Sequence, residues 1–89
     1  MEYKLDFTKK ALKQLNKIQM QSRTRIFSAI QNLKKSETWG DVRKLVNHQF
    51  DYRLRVGNYR VLFTVKEDLS VVVNELLIEE VKKRDERTY

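Results

Sequence analysis

The chain has 89 residues, 19 Lys and Arg against 12 Asp and Glu, and a formal charge of +7; its sequence pI is near 9.8. That length fits one domain with a thin core, burying about two-thirds of its unfolded surface. The absence of cysteine excludes disulfide staples and thiolate metal sites. No apolar run approaches the roughly 18 residues that span a bilayer, and the opening residues lack the pattern of a secretion signal, so a cytoplasmic protein is expected. The excess of positive charge points to a polyanionic partner, because neutralising phosphates releases counterions; solvated surface or an acidic protein partner is the alternative.

Met1, Tyr3, Leu5 and Phe7 alternate with Glu2, Lys4 and Asp6, the period of a half-buried strand. Thr8 stands where a helix N-cap belongs, and Ala11, Leu12, Leu15 and Ile18 follow at helical spacing, leaving Lys9, Lys10, Lys13 and Lys17 on the remaining surface. Ser22 is a second candidate cap, and Ile26, Phe27, Ile30 and Leu33 form the next apolar stripe. A helical hairpin with a short connection near Met20 and Gln21 follows.

Residues 36–51 are less regular. Thr38-Trp39-Gly40-Asp41 reads as a turn, Val42, Leu45 and Val46 are candidates to fold onto the core, Trp39 is read as a core or lid residue, and His48, the only histidine, as a loop residue. From Tyr52 to Val56 alternation returns. Gly57-Asn58 has tight-turn chemistry, Tyr59 to Lys66 alternates again, Glu67-Asp68 signals another turn, and Ser70 to Ile78 is rich in valine and leucine. The charged end from Glu79 to Tyr89 reads as a frayed extension or a short helix. The expectation is a single α+β domain over residues 1–89: an N-terminal strand, a two-helix hairpin, then an antiparallel three-strand meander, with both helices on one side of the sheet.

A two-residue loop at Gly57-Asn58 sets Val56 opposite Tyr59, Arg55 opposite Arg60, Leu54 opposite Val61 and Arg53 opposite Leu62. Directly paired residues share a face. Tyr52, Leu54, Val56, Tyr59, Val61 and Phe63 then form an apolar core face, and Arg53, Arg55 and Arg60 share the other with Leu62 and Thr64. Like charges directly opposite destabilise a hairpin. Such a face is either solvated surface, paired with acids such as Glu75, or an anion site; convergence of three guanidinium groups favours the last, because Arg matches phosphate bidentately.

The stretch Tyr52-Arg53-Leu54-Arg55-Val56-Gly57-Asn58-Tyr59-Arg60-Val61-Leu62-Phe63 closely resembles the central motif of the RelE/ParE toxin superfamily. Arg43-Lys44-Leu45 is similar to its basic-Lys-Leu segment, and Lys83-Arg84-Asp85-Glu86-Arg87-Thr88-Tyr89 to its C-terminal Lys-Arg…Tyr signature. The resemblance implies a toxin of a type II toxin–antitoxin system with the RelE-like microbial-ribonuclease type of fold. Its implied activity is ribosome-dependent, metal-independent endoribonuclease cleavage of mRNA in the ribosomal A site, without a cofactor. The implied partners are ribosome, mRNA and a RelB-like antitoxin that folds on binding. It also implies catalytic roles for Arg53, Arg55, Arg60, Arg84 and Tyr89, and RNA contacts by Arg43, Lys44, Lys83 and Arg87. Arg53 and Arg60 would carry phosphate charge, Arg84 would stabilise phosphate or protonate the leaving group, and Tyr89 would stack on a base. RelE carries lysine where this chain has Arg53 and Arg55. An arginine, with a pKa above ~12, is a poor general base, which leaves Arg55 to orient and stabilise and the base unassigned. The ParE branch, whose members inhibit DNA gyrase without catalysis, is the main alternative, and an inactive antitoxin-bound member the next.

Overall fold

The computed structural model describes residues 3–35, 39–68 and 73–83. Strand β1 is Lys4–Phe7, helix α1 Lys9–Asn16, helix α2 Met20–Asn32, and strands β2 to β5 are Val42–Lys44, Tyr52–Val56, Tyr59–Asp68 and Val73–Lys83. The strands form one sheet in the order β1-β5-β4-β3-β2. Neighbours are antiparallel except β1, which runs parallel to β5. The α+β architecture expected from the sequence is therefore present, with one more strand than the periodicity shows. Among the described residues no helix is long and apolar enough to cross a membrane.

Local chemistry explains where most elements start. The Thr8 Oγ1 accepts the Ala11 N–H at 3.1 Å, satisfying one of the donors that a helix start leaves open. The same hydroxyl donates to the Glu79 carbonyl at 2.9 Å, tying the start of α1 to β5. Ser22 does not cap α2. The helix begins three residues earlier, at Met20 after Gln19, whose carbonyl accepts the Arg23 N–H at 2.8 Å, and no side chain caps it. The interhelical connection is correspondingly tighter, because backbone hydrogen bonding sufficed to start the turn.

Ala11, Leu15, Ile26, Ile30 and Leu33 from the helices meet Leu54, Val61, Phe63, Leu76, Ile78 and Val81 from the sheet in one core. Trp39 packs against that core: its ring centre lies 5.6 Å from those of Tyr3, Tyr52 and Phe63, and its indole N–H donates to the Leu33 carbonyl at 2.8 Å. Two residues counted in the apolar stripes, Leu12 and Phe27, stay about half exposed, and Val46 is fully at the surface rather than folded onto the core. His48 lies in the loop between β2 and β3, where its Nδ1 accepts the Phe50 N–H at 3.1 Å.

Three boundaries differ from the sequence reading. Val42–Lys44 is an edge strand against β3, too short to show a period of its own. Glu67 and Asp68 continue β4, opposite Asn74 and Val73, instead of turning the chain. Glu79 to Lys83 is neither frayed nor helical but the second half of β5. Leu62 faces Glu80 while Phe63 faces Ile78, so Glu79 is an extra residue, a β-bulge. The bulge shifts the alternation and brings Val81 opposite buried Val61, which is why no simple period runs through this part of the sequence.

Candidate nucleic-acid interface

The register of the β3–β4 hairpin is the one derived from its turn: Arg53 opposite Leu62, Leu54 opposite Val61, Arg55 opposite Arg60 and Val56 opposite Tyr59. Gly57 has φ +56°, the left-handed region at the first loop position, where a tight hairpin turn demands glycine. The neighbouring strands extend this pairing into two transverse rows on the face turned away from the helices. One runs Arg43, Arg53, Leu62, Glu80, and the other Arg55, Arg60, Lys82. Asp41 closes the second row at the β2 end, its carbonyl accepting the Arg55 N–H at 3.0 Å.

Arg53 is largely buried for a cation, its side chain only 12% exposed. Among the described residues it pairs with Asp41 at 3.6 Å, and its Nε is buried without a hydrogen-bond acceptor. Burial, and after it the positive charge of Arg55, hold the Arg53 pKa below its ordinary value; Arg43 and Arg60 act in the same direction and Asp41 against it. The sheet thus holds a guanidinium whose charge its surroundings disfavour. An anion bridging the rows would reverse that balance, and phosphate fits the bidentate geometry.

Between the cations lies Leu62, buried although it points away from the helix-side core. Beyond it, Glu80 is only 6% exposed. Its Oε1 receives the Lys10 ammonium, which reaches over from α1, and its Oε2 pairs with Lys82 at 3.0 Å. The hydrogen bond from Lys10 holds the Glu80 carboxyl below the ordinary carboxylate range; burial opposes this and Lys82 reinforces it. Glu75, offered by the sequence as a partner for the arginines, instead faces Lys66 further along β5.

Of the residues singled out from the sequence, Arg43, Arg53, Arg55 and Arg60 come together on this face. Lys44 is opposite Tyr52 and Lys83 opposite Tyr59, so both leave the sheet on the helix side. Arg84, Arg87 and Tyr89 lie outside the described residues. The sequence pattern does not place Lys82 or Glu80 on this face, and it puts Lys10 on the solvated surface of α1. Only a bulge at Glu79 reveals the first two, and Lys10 reaches Glu80 across 70 residues of sequence. Among the described residues, no group of three or more His, Asp or Glu could hold a metal ion.

No family model matches the sequence. No curated protein matches it either. Solved structures do. The chain is similar to the RelB–RelE antitoxin–toxin complex of Methanococcus jannaschii, at 26% identity over 86% of this chain and 87% of that one, with a TM-score of 0.65. It is similar to the archaeal RelE–RelB complex of Pyrococcus horikoshii at 25% identity, 97% and 99% coverage and a TM-score of 0.68. Free E. coli toxin RelE matches at 22% identity, 99% and 88% coverage and a TM-score of 0.71. The chain is RelE-like in fold over nearly its whole length.

Proposed function

We propose that this RelE-like chain is the toxin of a type II toxin–antitoxin system and cleaves mRNA on the ribosome as a metal-independent endoribonuclease. One observation carries the reading: the RelE-like sheet holds Arg43, Arg53, Arg55 and Arg60 on a single face, and Arg53 is kept there with its charge disfavoured and its Nε without an acceptor. A structural sheet gains nothing from Arg55 facing Arg60. A phosphodiester relieves both defects.

Cleavage requires a base at the ribose 2′-OH, charge stabilisation at the pentacoordinate phosphorus, and an acid at the departing 5′-oxygen. Arg60 and Arg53 carry the phosphate charge in this reading, and Arg55 orients the phosphate. Arg84 would add charge or protonate the leaving oxygen, and Tyr89 would stack on a base. The ribosome would hold the mRNA in line for attack. Arg43, Arg87 and, at the strand ends, Lys44 and Lys83 would contact the RNA backbone. The RelE neighbours from M. jannaschii and P. horikoshii are complexes with RelB antitoxins, which supports an antitoxin partner here; one that is acidic where it meets the arginine face and folds on binding fits the charge.

Primer extension on mRNA from cells expressing the chain tests this, with Arg60→Ala beside the wild type. Cuts inside reading frames that vanish in Arg60→Ala while antitoxin binding persists are expected. Growth arrest with DNA breaks and intact mRNA would overturn the nuclease reading in favour of gyrase inhibition.

A further inference from the structure

A carboxylate buried on the cationic face needs a reason. Replacing a buried ion pair by well-packed apolar residues is commonly neutral or stabilising, and Glu80 faces an apolar partner, Leu62, in the register. Stability alone therefore does not select an acid there. The other described acids near the face are committed differently. Asp41 pairs with Arg53, Glu79 accepts the Thr64 hydroxyl at 3.4 Å, Asp51 accepts the Val65 N–H at 3.2 Å, and Glu75 faces Lys66. The one histidine is bonded to Phe50 in the β2–β3 loop. Arginine does not abstract protons near neutral pH.

We propose that Glu80 is the general base of the cleavage, an inference that rests on the ribonuclease reading above. Its neighbours suit the role. Leu62 separates it from Arg53 along one row, and Arg60, opposite Lys82, is its diagonal neighbour on β4, at a spacing of about 7–8 Å for such a pair. For Glu80 to act, a phosphate seated on Arg53 and Arg60 above Leu62 must have its 3′-linked ribose toward β5. Each Glu80 oxygen accepts from one lysine and keeps a second lone pair. Lys10 from α1 and Lys82 on β5 pair with it directly, Glu79 precedes it on β5, and Arg60 on β4 and Arg53 on β3 stand further off; the two lysines keep it ionised at neutral pH.

In the step, the Glu80 carboxylate takes the proton of the 2′-OH as the 2′-oxygen bonds to phosphorus. The P–O5′ bond breaks, the 5′-oxygen leaves as a hydroxyl with a proton from solvent water, and a 2′,3′-cyclic phosphate remains. Glu80 then returns its proton to solvent.

The test is single-turnover cleavage of an mRNA on programmed ribosomes by the full chain, across pH. Glu80→Gln is expected to lower the rate constant about 10²–10⁴-fold with ribosome binding retained. Lys10→Met, at a mostly exposed helix position, is expected to cleave with the acid limb of its pH–rate profile moved to higher pH, because it removes the hydrogen bond that holds the Glu80 pKa down. A merely structural bridge would lower the melting temperature of both variants and leave that limb in place. Folded Glu80→Gln cleaving at the wild-type rate, or an unmoved limb in Lys10→Met, overturns the assignment; should Glu80→Gln fail to fold, Lys10→Met decides. Wild-type chain that leaves ribosome-bound mRNA intact overturns the ribonuclease reading itself.

Discussion

The two faces of the sheet share the same strands but are completed by different means. On one, Leu54, Val61, Phe63, Leu76, Ile78 and Val81 meet the helices in one apolar core. On the other, arginines stand opposite one another, Arg53 Nε lacks an acceptor, and buried Leu62 lies between Arg53 and Glu80. The first face is where folding free energy is gained. The second is held in place by the first, at a cost in electrostatic repulsion that an anionic ligand offsets. Substitutions should accordingly divide into those that unfold the chain and those that silence it.

The largest effect is expected on the helix side. Phe63→Ala, at a fully buried position in ring contact with Trp39 and Tyr52, should cost about 3–5 kcal/mol, a large share of the stability of so small a domain; chemical denaturation measures it, and a loss under 1 kcal/mol would mean that this core is not the fold's main support. Arg60→Ala, on the other face, should lower cleavage by about 10²–10³-fold, the usual value of one transition-state charge contact, with little change in melting temperature. Arg53→Met sharpens the contrast: it removes a cation whose charge the fold disfavours and leaves Asp41 in solvent, so thermal stability should stay level or rise while cleavage falls. A pronounced loss of stability would show that Arg53 belongs to the scaffold.

The acid limb of stability gives a smaller effect. Glu80 has a folded pKa below its ordinary value of 4.5, so its contribution is complete above the unfolded pKa and is lost as pH falls through the folded one. Thermal melts at descending pH should show a decline below about pH 4.5 that is shallower in Glu80→Gln. Smallest is Thr8→Ala, which removes the α1 cap and its link to Glu79; about 1 kcal/mol is expected, read as a drop of roughly 4–8 °C in melting temperature.

Much of this arrangement is visible in the sequence because it is local. The hairpin register follows from Gly57-Asn58 and the alternation on either side, and it fixes which face each arginine takes. Thr8 as a cap is equally local: a hydroxyl three residues before an N–H that needs an acceptor. The motif around the hairpin also implied the RelE-like fold that the solved structures match.

What escaped the sequence depends on segments far apart in the chain. Whether Glu79 to Lys83 forms a strand is decided by β4, which offers an open ladder alongside it, and by a bulge that no local pattern announces. Ser22 lost its place as a cap because backbone geometry at Gln19 started the helix sooner. Periodicity and turn chemistry, which act over a few residues, determined the arginine face; the pairing of β5 with β4 and the reach of Lys10 across the sheet edge, set by packing over the whole domain, decided that Lys82 and a buried carboxylate stand beside it.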